Sequence, residues 1–342
     1  MTKKVLVTGG AGFIAHHVID TILETTDWDI ITIDRLDFSG NLNRLHELLA
    51  SKPAHVSKRV KFIFHDLKAE LNPQTSNLIG DVNYILHLAA GSHVDRAIEN
   101  PLEFVLDNVV GTCNILNFAR TCKNLIRFVY FSTDEVFGPA PRDVMYDERA
   151  RYNSTNPYSA TKAGGEELAV SFHNTYSLPV YICHTMNVFG QRQHPEKYVP
   201  NSIRNIRDGG LITVHADPVT GQPGSRFYVH VNDVADALMF ILGLDDTKFE
   251  KDYGGAKCPK FNIVGNEEID NLELIKIIGN IMNKEVNYKL IDFNKSRPGH
   301  DLRYSLSGEY MKSLGWVPKL TLRGRIEEVV DWTLEHNHWL LA

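Results

Sequence analysis

The chain of 342 residues corresponds to roughly two domains at ~150 residues each, long enough to bury a core without staples. Apolar residues make up 43% and charged residues 23%, which excludes wholesale disorder, collagen-like repeats and a disulfide-dense miniprotein. Lys+Arg 36 against Asp+Glu 42 leaves a net charge of −6, with no overall electrostatic footprint for nucleic acid. The four cysteines, Cys113, Cys122, Cys183 and Cys258, form no CxxC pair and read as buried thiols in a reducing compartment. No apolar run approaches the ~20 residues that span a bilayer, and the first run breaks at glycines before a signal-peptide core forms. The sequon Asn153-Ser154-Thr155 therefore reads as chance. The expected class is a soluble cytoplasmic enzyme, with a binding module as the rival.

In chain order, the first half alternates two kinds of segment. Residues 4–8 are a short apolar run ending in glycines, 13–25 have helical spacing, and 29–33 are a second run ending at Asp34. Residues 60–65, 84–89 and 127–132 are runs of the same kind, and 101–122 and 158–176 look helical. The continuous Val/Ile/Leu/Phe character predicts strands buried on both faces. Their alternation with helices predicts an α/β fold, a Rossmann-type doubly wound parallel sheet. In the less regular second half, 195–200, 217–225 and 252–260 read as loops, and 272–282 and 322–336 as helices. The expected division is a cofactor domain over 1–185, with 226–240 returning to it, and a smaller mixed α/β substrate lobe over 186–342. The reaction is expected in the cleft between them.

Gly9-Gly10-Ala11-Gly12-Phe13-Ile14-Ala15 follows the first run and opens the first helix, the context a dinucleotide fingerprint needs. Glycines permit the tight turn and let backbone N–H groups approach a pyrophosphate, and the helix N-terminus adds partial positive charge. Gly9, Gly12, Phe13 and Ile14 are the expected contacts, and Ala15 supplies the third small position. Asp34 ends the next strand, where a carboxylate bonds an adenosine ribose diol and repels a 2′-phosphate. That favours NAD over NADP, while the adjacent Arg35 pulls the other way. Asp66-Leu67 follows the third strand and reads as an adenine flank or, for Asp66, as a helix N-cap. Leu88, Ala89 and Ala90 follow the fourth strand, where small residues let the backbone lie against a cofactor. His16 and His17 read as outward-facing, and no histidine spacing suggests a metal.

Tyr158 and Lys162 stand one helical turn apart and share a face. An ammonium beside a phenol stabilises the phenolate and lowers the tyrosine pKa from ~10, so Tyr158 reads as a base. Ser132-Thr133 closes the preceding strand. The next pair, Asp134-Glu135, reads as a helix N-cap with a first-turn acid, as a solvated loop, or as a general acid and base in distinct environments.

These segments resemble a known family. TGGAGFI at 8–14, HLAA at 87–90 with SHVDR at 92–96, STDEVFG at 132–138, PYSATK at 157–162, PEK at 195–197 and RPGHDLRY at 297–304 run in order over nearly the whole chain. They resemble the extended short-chain dehydrogenases/reductases, and more narrowly the nucleoside-diphosphate-glucose 4,6-dehydratases. TGGAGFI and PYSATK mark the superfamily. Thr133-Asp134-Glu135 marks the dehydratases, because related epimerases and decarboxylases lack the acid pair.

The resemblance implies recycled NAD, a nucleoside-diphosphate hexose such as dTDP- or UDP-glucose, and a redox-neutral reaction. By that resemblance Tyr158 takes the 4-hydroxyl proton as the C4 hydride leaves, Glu135 removes the C5 proton, Asp134 protonates the departing 6-hydroxyl, and hydride returns to C6. Thr133 bonds the 4-oxygen, and Lys162 also holds the nicotinamide ribose. Ser92, Asn187, Lys197, Arg226, Asn262, Arg297, His300 and Tyr304 are the implied substrate contacts. Arg226 also reads as a surface salt bridge with Asp217 or Asp233, Asn187 as a turn residue, and His300 as a structural hydrogen-bonder. A homodimer built from 101–122 and 158–176 is implied, and Gly164-Gly165 points to close packing there.

Three positions depart from the family pattern. Gly91 stands where an acid is usual, and Phe137 and Phe189 where tyrosine is usual. None is a proton-transfer residue. The rival readings are another enzyme on the same scaffold (a 4-epimerase, a decarboxylase or a 2-acetamido-sugar dehydratase) and a catalytically silent nucleotide binder. The acid pair argues against the epimerase, and retention of Tyr158, Lys162 and both acids against the silent binder. Thymine and uracil differ by one methyl group, worth only ~1 kcal/mol, so the base is not legible.

Overall fold

A computed structural model describes residues 2–245, 258–293 and 302–341. Strands β1 (Lys4–Thr8), β2 (Asp29–Asp34), β3 (Val60–Phe64), β4 (Tyr84–His87), β5 (Arg127–Phe131) and β6 (Val180–Thr185) join the strand Lys260–Ile263 in a seven-stranded sheet. The order is Lys260–Ile263, β6, β5, β4, β1, β2, β3, and β1–β6 pair in parallel. This bears out the doubly wound expectation. Winding reverses at β1, between β2 and β4, which is where such sheets open a crevice at their carboxyl ends. Helices cover the sheet, and Leu6, Ile33, Ile85, Ile115, Phe128 and Phe172 form its core.

One strand departs from the expected burial on both faces. β3 lies at the sheet edge, where Ile63 alone of its residues is buried and Phe64 is 68% exposed. His16 and His17 are corrected as well. Both are buried in the helix Phe13–Thr25, with ring centroids 4.0 Å apart, because that helix is covered over most of its circumference.

The stretch 101–122 is not one regular helix. Helical segments Pro101–Val105 and Gly111–Ala119 flank a π-helical turn, Leu106–Val110, where the Gly111 N–H reaches the Leu106 carbonyl. This wide turn packs its backbone on the helix Pro157–Tyr176. A Cβ at Gly165 would lie 2.4 Å from the Asn108 carbonyl oxygen and 2.5 Å from the Tyr130 hydroxyl. The close packing signalled by the glycine pair is thus made within the chain. Gly165→Ala is expected to destabilise the fold by roughly 1–3 kcal/mol, read as a lowered urea midpoint.

The described residues within Met1–Val136, Asn156–His184 and Ala235–Phe261 form one unit, and those within Phe137–Thr155, Thr185–Val234 and Asn262–Ala342 the other. A single boundary at 185 is therefore too simple. Residues 137–155 belong to the second unit, and the returning segment is 235–261 rather than 226–240.

The second unit packs the helices Tyr198–Asp208, Asn271–Ile281 and Leu322–Glu335 around Ile203, Val214, Ile275, Ile278, Ile326 and Val330. Its strands pair in twos. Ile212–Ala216 runs parallel to Tyr288–Asp292, Val188–Phe189 parallel to Val229–His230, and Ser225–Phe227 antiparallel to Glu268–Asp270. The loop read over 195–200 ends early, since a helix starts at Tyr198 with Pro200 in its first turn, where the missing N–H costs nothing. Of the loop read over 252–260, residues 252–257 lie outside the described residues.

Candidate active site

At the end of β1, Gly9 takes a φ of +74°, and its N–H donates to the Ile33 carbonyl at 2.7 Å. A Cβ there would lie 2.9 Å from the Ala89 Cα, and one at Gly10 would lie 1.6 Å from the Thr32 hydroxyl. Only glycine lets this loop press between β2 and the segment after β4. The helix Phe13–Thr25 starts at Gly12 with no side-chain cap, so its first amides remain for an anion. Asp34 is buried at the end of β2 and accepts the Ala11 N–H at 3.0 Å and the Leu36 N–H at 2.8 Å. Burial raises its carboxyl pKa, and those two amides oppose the rise. Asp66 accepts the Lys68 N–H at 3.0 Å in a turn, so the helix N-cap reading is not realised.

Behind Ala89 runs a hydrogen-bond relay. The Ala89 N–H donates to the Thr8 hydroxyl at 3.1 Å, and Thr8 faces His87 Nδ1 at 2.8 Å. His87 Nε2 faces the Thr112 hydroxyl at 3.0 Å, which donates to the Asn108 carbonyl at 2.6 Å. With Thr112 donating onward, His87 gives it the Nε2–H and accepts from Thr8, which fixes the neutral tautomer. Burial, with the Lys162 charge adding, pushes His87 down to about 3. The unfolded chain binds this proton near pH 6.5, so the stability His87 contributes is lost as pH falls from there. A loss of about 2–3 kcal/mol by pH 4.5 is expected, and His87→Gln is expected to flatten that slope in acid denaturation.

The chemical residues gather at the end of β5. Ser132, Thr133 and Asp134 are buried, and the Thr133 hydroxyl donates to Asp134 Oδ1 at 3.0 Å. Glu135 Oε2 accepts from Asn156 Nδ2 at 3.1 Å. Asn156 also caps the helix Pro157–Tyr176 in a reciprocal box with Ser159. One residue therefore sets both the start of the Tyr158 helix and the place of Glu135. Thr133 hydrogen-bonds the Tyr158 phenol, and the charges of Glu135 and Asp134 act on it.

Lys162 is buried. Its ammonium donates to the Phe131 carbonyl at 2.6 Å and lies 4.5 Å from the Tyr130 ring centroid. Burial pushes it down to about 7, opposed by Glu166. The site's own residues do not lower Tyr158 as the i,i+4 spacing suggested. Burial first, then Glu135, push the phenol well above its usual range, with only the Thr133 hydrogen bond opposing before Asp134 adds to the rise.

In the second unit Arg226 donates to the carbonyls of Ser225 at 2.7 Å and Leu302 at 2.6 Å, and its guanidinium lies 4.7 Å from the centroid of the buried Tyr304 ring. The two salt-bridge partners read for it are engaged elsewhere. Asp233 pairs with Arg325 at 2.6 Å, and Asp217 accepts the Val219 and Thr220 amides. Asn187 is exposed in the short link before Val188–Phe189, Lys197 precedes the helix Tyr198–Asp208, and Ser92 is exposed before the helix Val94–Glu99. Asn262 is fully buried and gives its amide hydrogens to the Tyr146 and Ser307 carbonyls, so it ties loops together. Arg297 and His300 lie outside the described residues. Phe137 and Phe189 are core positions, the first 5.9 Å from the Tyr146 ring and the second 5.3 Å from the His230 ring.

The family described as GDP-mannose 4,6 dehydratase matches residues 6–329. The chain belongs to this family. Within the extended short-chain dehydrogenases/reductases, its relatives include an Escherichia coli dTDP-glucose 4,6-dehydratase, 33% identical over 98% of this chain and 95% of that one. An Arabidopsis thaliana trifunctional UDP-glucose 4,6-dehydratase/3,5-epimerase/reductase is 32% identical over 98% of this chain, which spans 48% of that protein. The dTDP-glucose 4,6-dehydratase of Streptomyces venezuelae, solved with NAD, is 31% identical with a TM-score of 0.84 over 99% of both chains. A Bacillus cereus UDP-glucuronic acid 4-epimerase also has a TM-score of 0.84 at 23% identity, so the family fold is shared beyond the dehydratases.

Several residues of the site escaped the sequence reading. Glu166 is fully buried and holds the Ser132 hydroxyl at 2.7 Å, His184 at 3.1 Å and the Lys260 ammonium at 2.9 Å. Its position one turn beyond Lys162 was a usable signal. So was Asn156 ahead of Pro157, an N-cap followed by proline at the first helical position.

Proposed function

We propose that the chain is an NAD-dependent hydro-lyase that converts a nucleoside-diphosphate-glucose, dTDP- or UDP-linked, to the 4-keto-6-deoxy sugar. The observation that carries this reading is the Asp134-Glu135 pair at the end of β5, tied to the Tyr158 helix through Asn156. Epimerases share the fold, so this chemistry rests on the acids rather than the scaffold. Full-length similarity to dTDP-glucose 4,6-dehydratases supports it.

The residues present fit the coenzyme. A loop that a Cβ would fill leads into an uncapped helix N-terminus, and a buried carboxylate stands at the end of β2. Gly9–Ile14 would hold the pyrophosphate, Asp34 the ribose diol, Leu88–Ala90 the ring edge, and Lys162 the nicotinamide ribose. NAD, when bound, would supply the hydride acceptor for C4 and the hydride source for C6.

The remaining steps belong to the chain. Thr133 holds the 4-oxygen, and Tyr158 takes its proton as the phenolate that the positive charge of bound NAD would favour over the bare site. The resulting ketone acidifies C5, whose proton passes to Glu135. Asp134 in its acid form protonates the departing 6-hydroxyl, which leaves as water. Glu135 then returns a proton to C5, and the site is reset once the proton gained by Tyr158 makes good the one given up by Asp134. Arg226, held over Tyr304, would bring positive charge to the substrate phosphates.

We infer a homodimer in the cytoplasm. Among the described residues no helix is long and apolar enough to cross a membrane. A monomeric mass at micromolar concentration counts against the dimer. For the activity, the test is the alkali-induced absorbance of a 4-keto-6-deoxy product after mixing the protein with dTDP-glucose or UDP-glucose. Signal with one of them is expected. Silence with every nucleotide hexose overturns the reading.

A further inference from the structure

The rim beside Asp34 carries an arrangement that the dehydratase chemistry does not need. Arg35, the residue after Asp34, is clasped by Asp107 through both of its terminal nitrogens, one bond being 2.7 Å. Its Nε donates to Asp37 at 2.9 Å, and Asp66 stands 3.6 Å away. Lys68 lies 3.5 Å from the same Asp107 carboxylate. The rim thus sets Asp34, Asp37, Asp66 and Asp107 against Arg35 and Lys68. The Asp107 side chain is only 8% exposed, whereas that of Asp37 is 40% exposed. Solvent screens the Asp37 pair, so Asp107 is the stronger hold.

Asp107 has a reason to sit there. A Cβ at Gly91 would lie 3.0 Å from Asp107 Oδ2 and 3.1 Å from the Phe104 ring. The acid usual in the family at position 91 would crowd a second carboxylate onto Asp107. Glycine leaves that space to Asp107 and, through it, to the guanidinium. An arginine next to the ribose acid is the residue type that receives a 2′-phosphate, by a forked pair of hydrogen bonds. Here the fork is already spent.

We propose that Asp107, seated in the space left by Gly91, sets the coenzyme preference of this chain by holding Arg35 away from a 2′-phosphate. The proposal rests on the NAD reading above and adds a residue on a distant helix to the specificity that Asp34 provides. Removing Asp107 leaves Arg35 with Asp37 and Asp66, whose side chains are 40% and 43% exposed, and from these a dianionic phosphate can take it.

The test is competition between NAD and NADP for the full-length chain, read as the ratio of their dissociation constants. Asp107→Asn is expected to shift that ratio towards NADP by about tenfold, the size of a regained charged hydrogen bond. Asp107→Ser carries the same expectation should the asparagine variant fail to fold. Adding Arg35→Ala to either variant is expected to remove the gain. An unchanged ratio in the single variants overturns the proposal. So does a gain that survives loss of Arg35, because it would come from the missing carboxylate alone. A wild-type chain that binds neither dinucleotide overturns the NAD reading itself, a result distinct from both.

Discussion

Glu135→Gln is expected to lower kcat by about 10²–10⁴-fold while leaving coenzyme and substrate binding near wild type. The substitution keeps length and volume and retains an oxygen that accepts from Asn156, now 3.1 Å from Glu135 Oε2. What it removes is a group able to take a proton. Oxidation at C4 relies on Thr133 and Tyr158 and should survive, whereas loss of the C5 proton should stop. Mixing the variant with substrate in deuterated water is expected to give no deuterium at C5. Normal exchange there would move the base elsewhere and sink the assignment. Asp134→Asn separates the acids, since C5 exchange should persist in it while the 6-hydroxyl fails to leave.

Glu166→Ala is expected to cost about 3–5 kcal/mol of stability, the scale of breaking a buried ion pair from one side. The Glu166 carboxylate has no exposed surface and meets Ser132, His184 and Lys260. Truncation leaves a buried hydroxyl, an imidazole and an ammonium around a hole, and equilibrium denaturation reads the loss. Glu166→Gln separates packing from charge. It restores much of the volume and the Ser132 contact but removes the negative charge that opposes the lowering of Lys162. Lys162 then loses its proton at lower pH than in wild type, where it stands at about 7. Because the proposed chemistry uses the ammonium, the alkaline limb of the pH–rate profile should move down in pH. An unmoved limb would reduce Glu166 to a packing residue.

The local chemistry was legible because it lies in short spacings. The glycine fingerprint, the Tyr158–Lys162 pair and the acid pair each fit within seven residues of chain, next to short apolar runs whose alternation with helical segments points to a sheet. Partnerships across long separations were not legible. Lys260 reaches Glu166 only because its strand adds to the sheet edge beyond β6. Arg226 finds Tyr304 and the Leu302 carbonyl through a chain return that no spacing announces. The Tyr158 shift runs against the expectation from spacing for a related reason. An i,i+4 spacing says that two side chains share a face, but Lys162 turns its ammonium to the Phe131 carbonyl, and burial decides the phenol. Edge exposure of β3 and burial of His16 and His17 likewise depend on what covers each element.

The π-helical turn Leu106–Val110 has a consequence for how this protein tolerates insertions and deletions. Two consecutive residues of that turn do unrelated work. Asp107 grips Arg35, and Asn108 exchanges two hydrogen bonds with the Gly91 backbone, at 2.8 Å and 3.1 Å, while a third reaches Thr161 at 3.0 Å. An extra residue in the turn is what lets both point where they do. Deleting one residue in it would restore regular α winding with the flanking helical segments nearly in phase, so the loss would fall on the turn itself. The grip of Asp107 on Arg35 and the ties of Asn108 to Gly91 and Thr161 would be lost together in a single genetic event. Length variation among close relatives should therefore spare this turn and collect in exposed loops such as the one carrying Val219, which is 91% exposed.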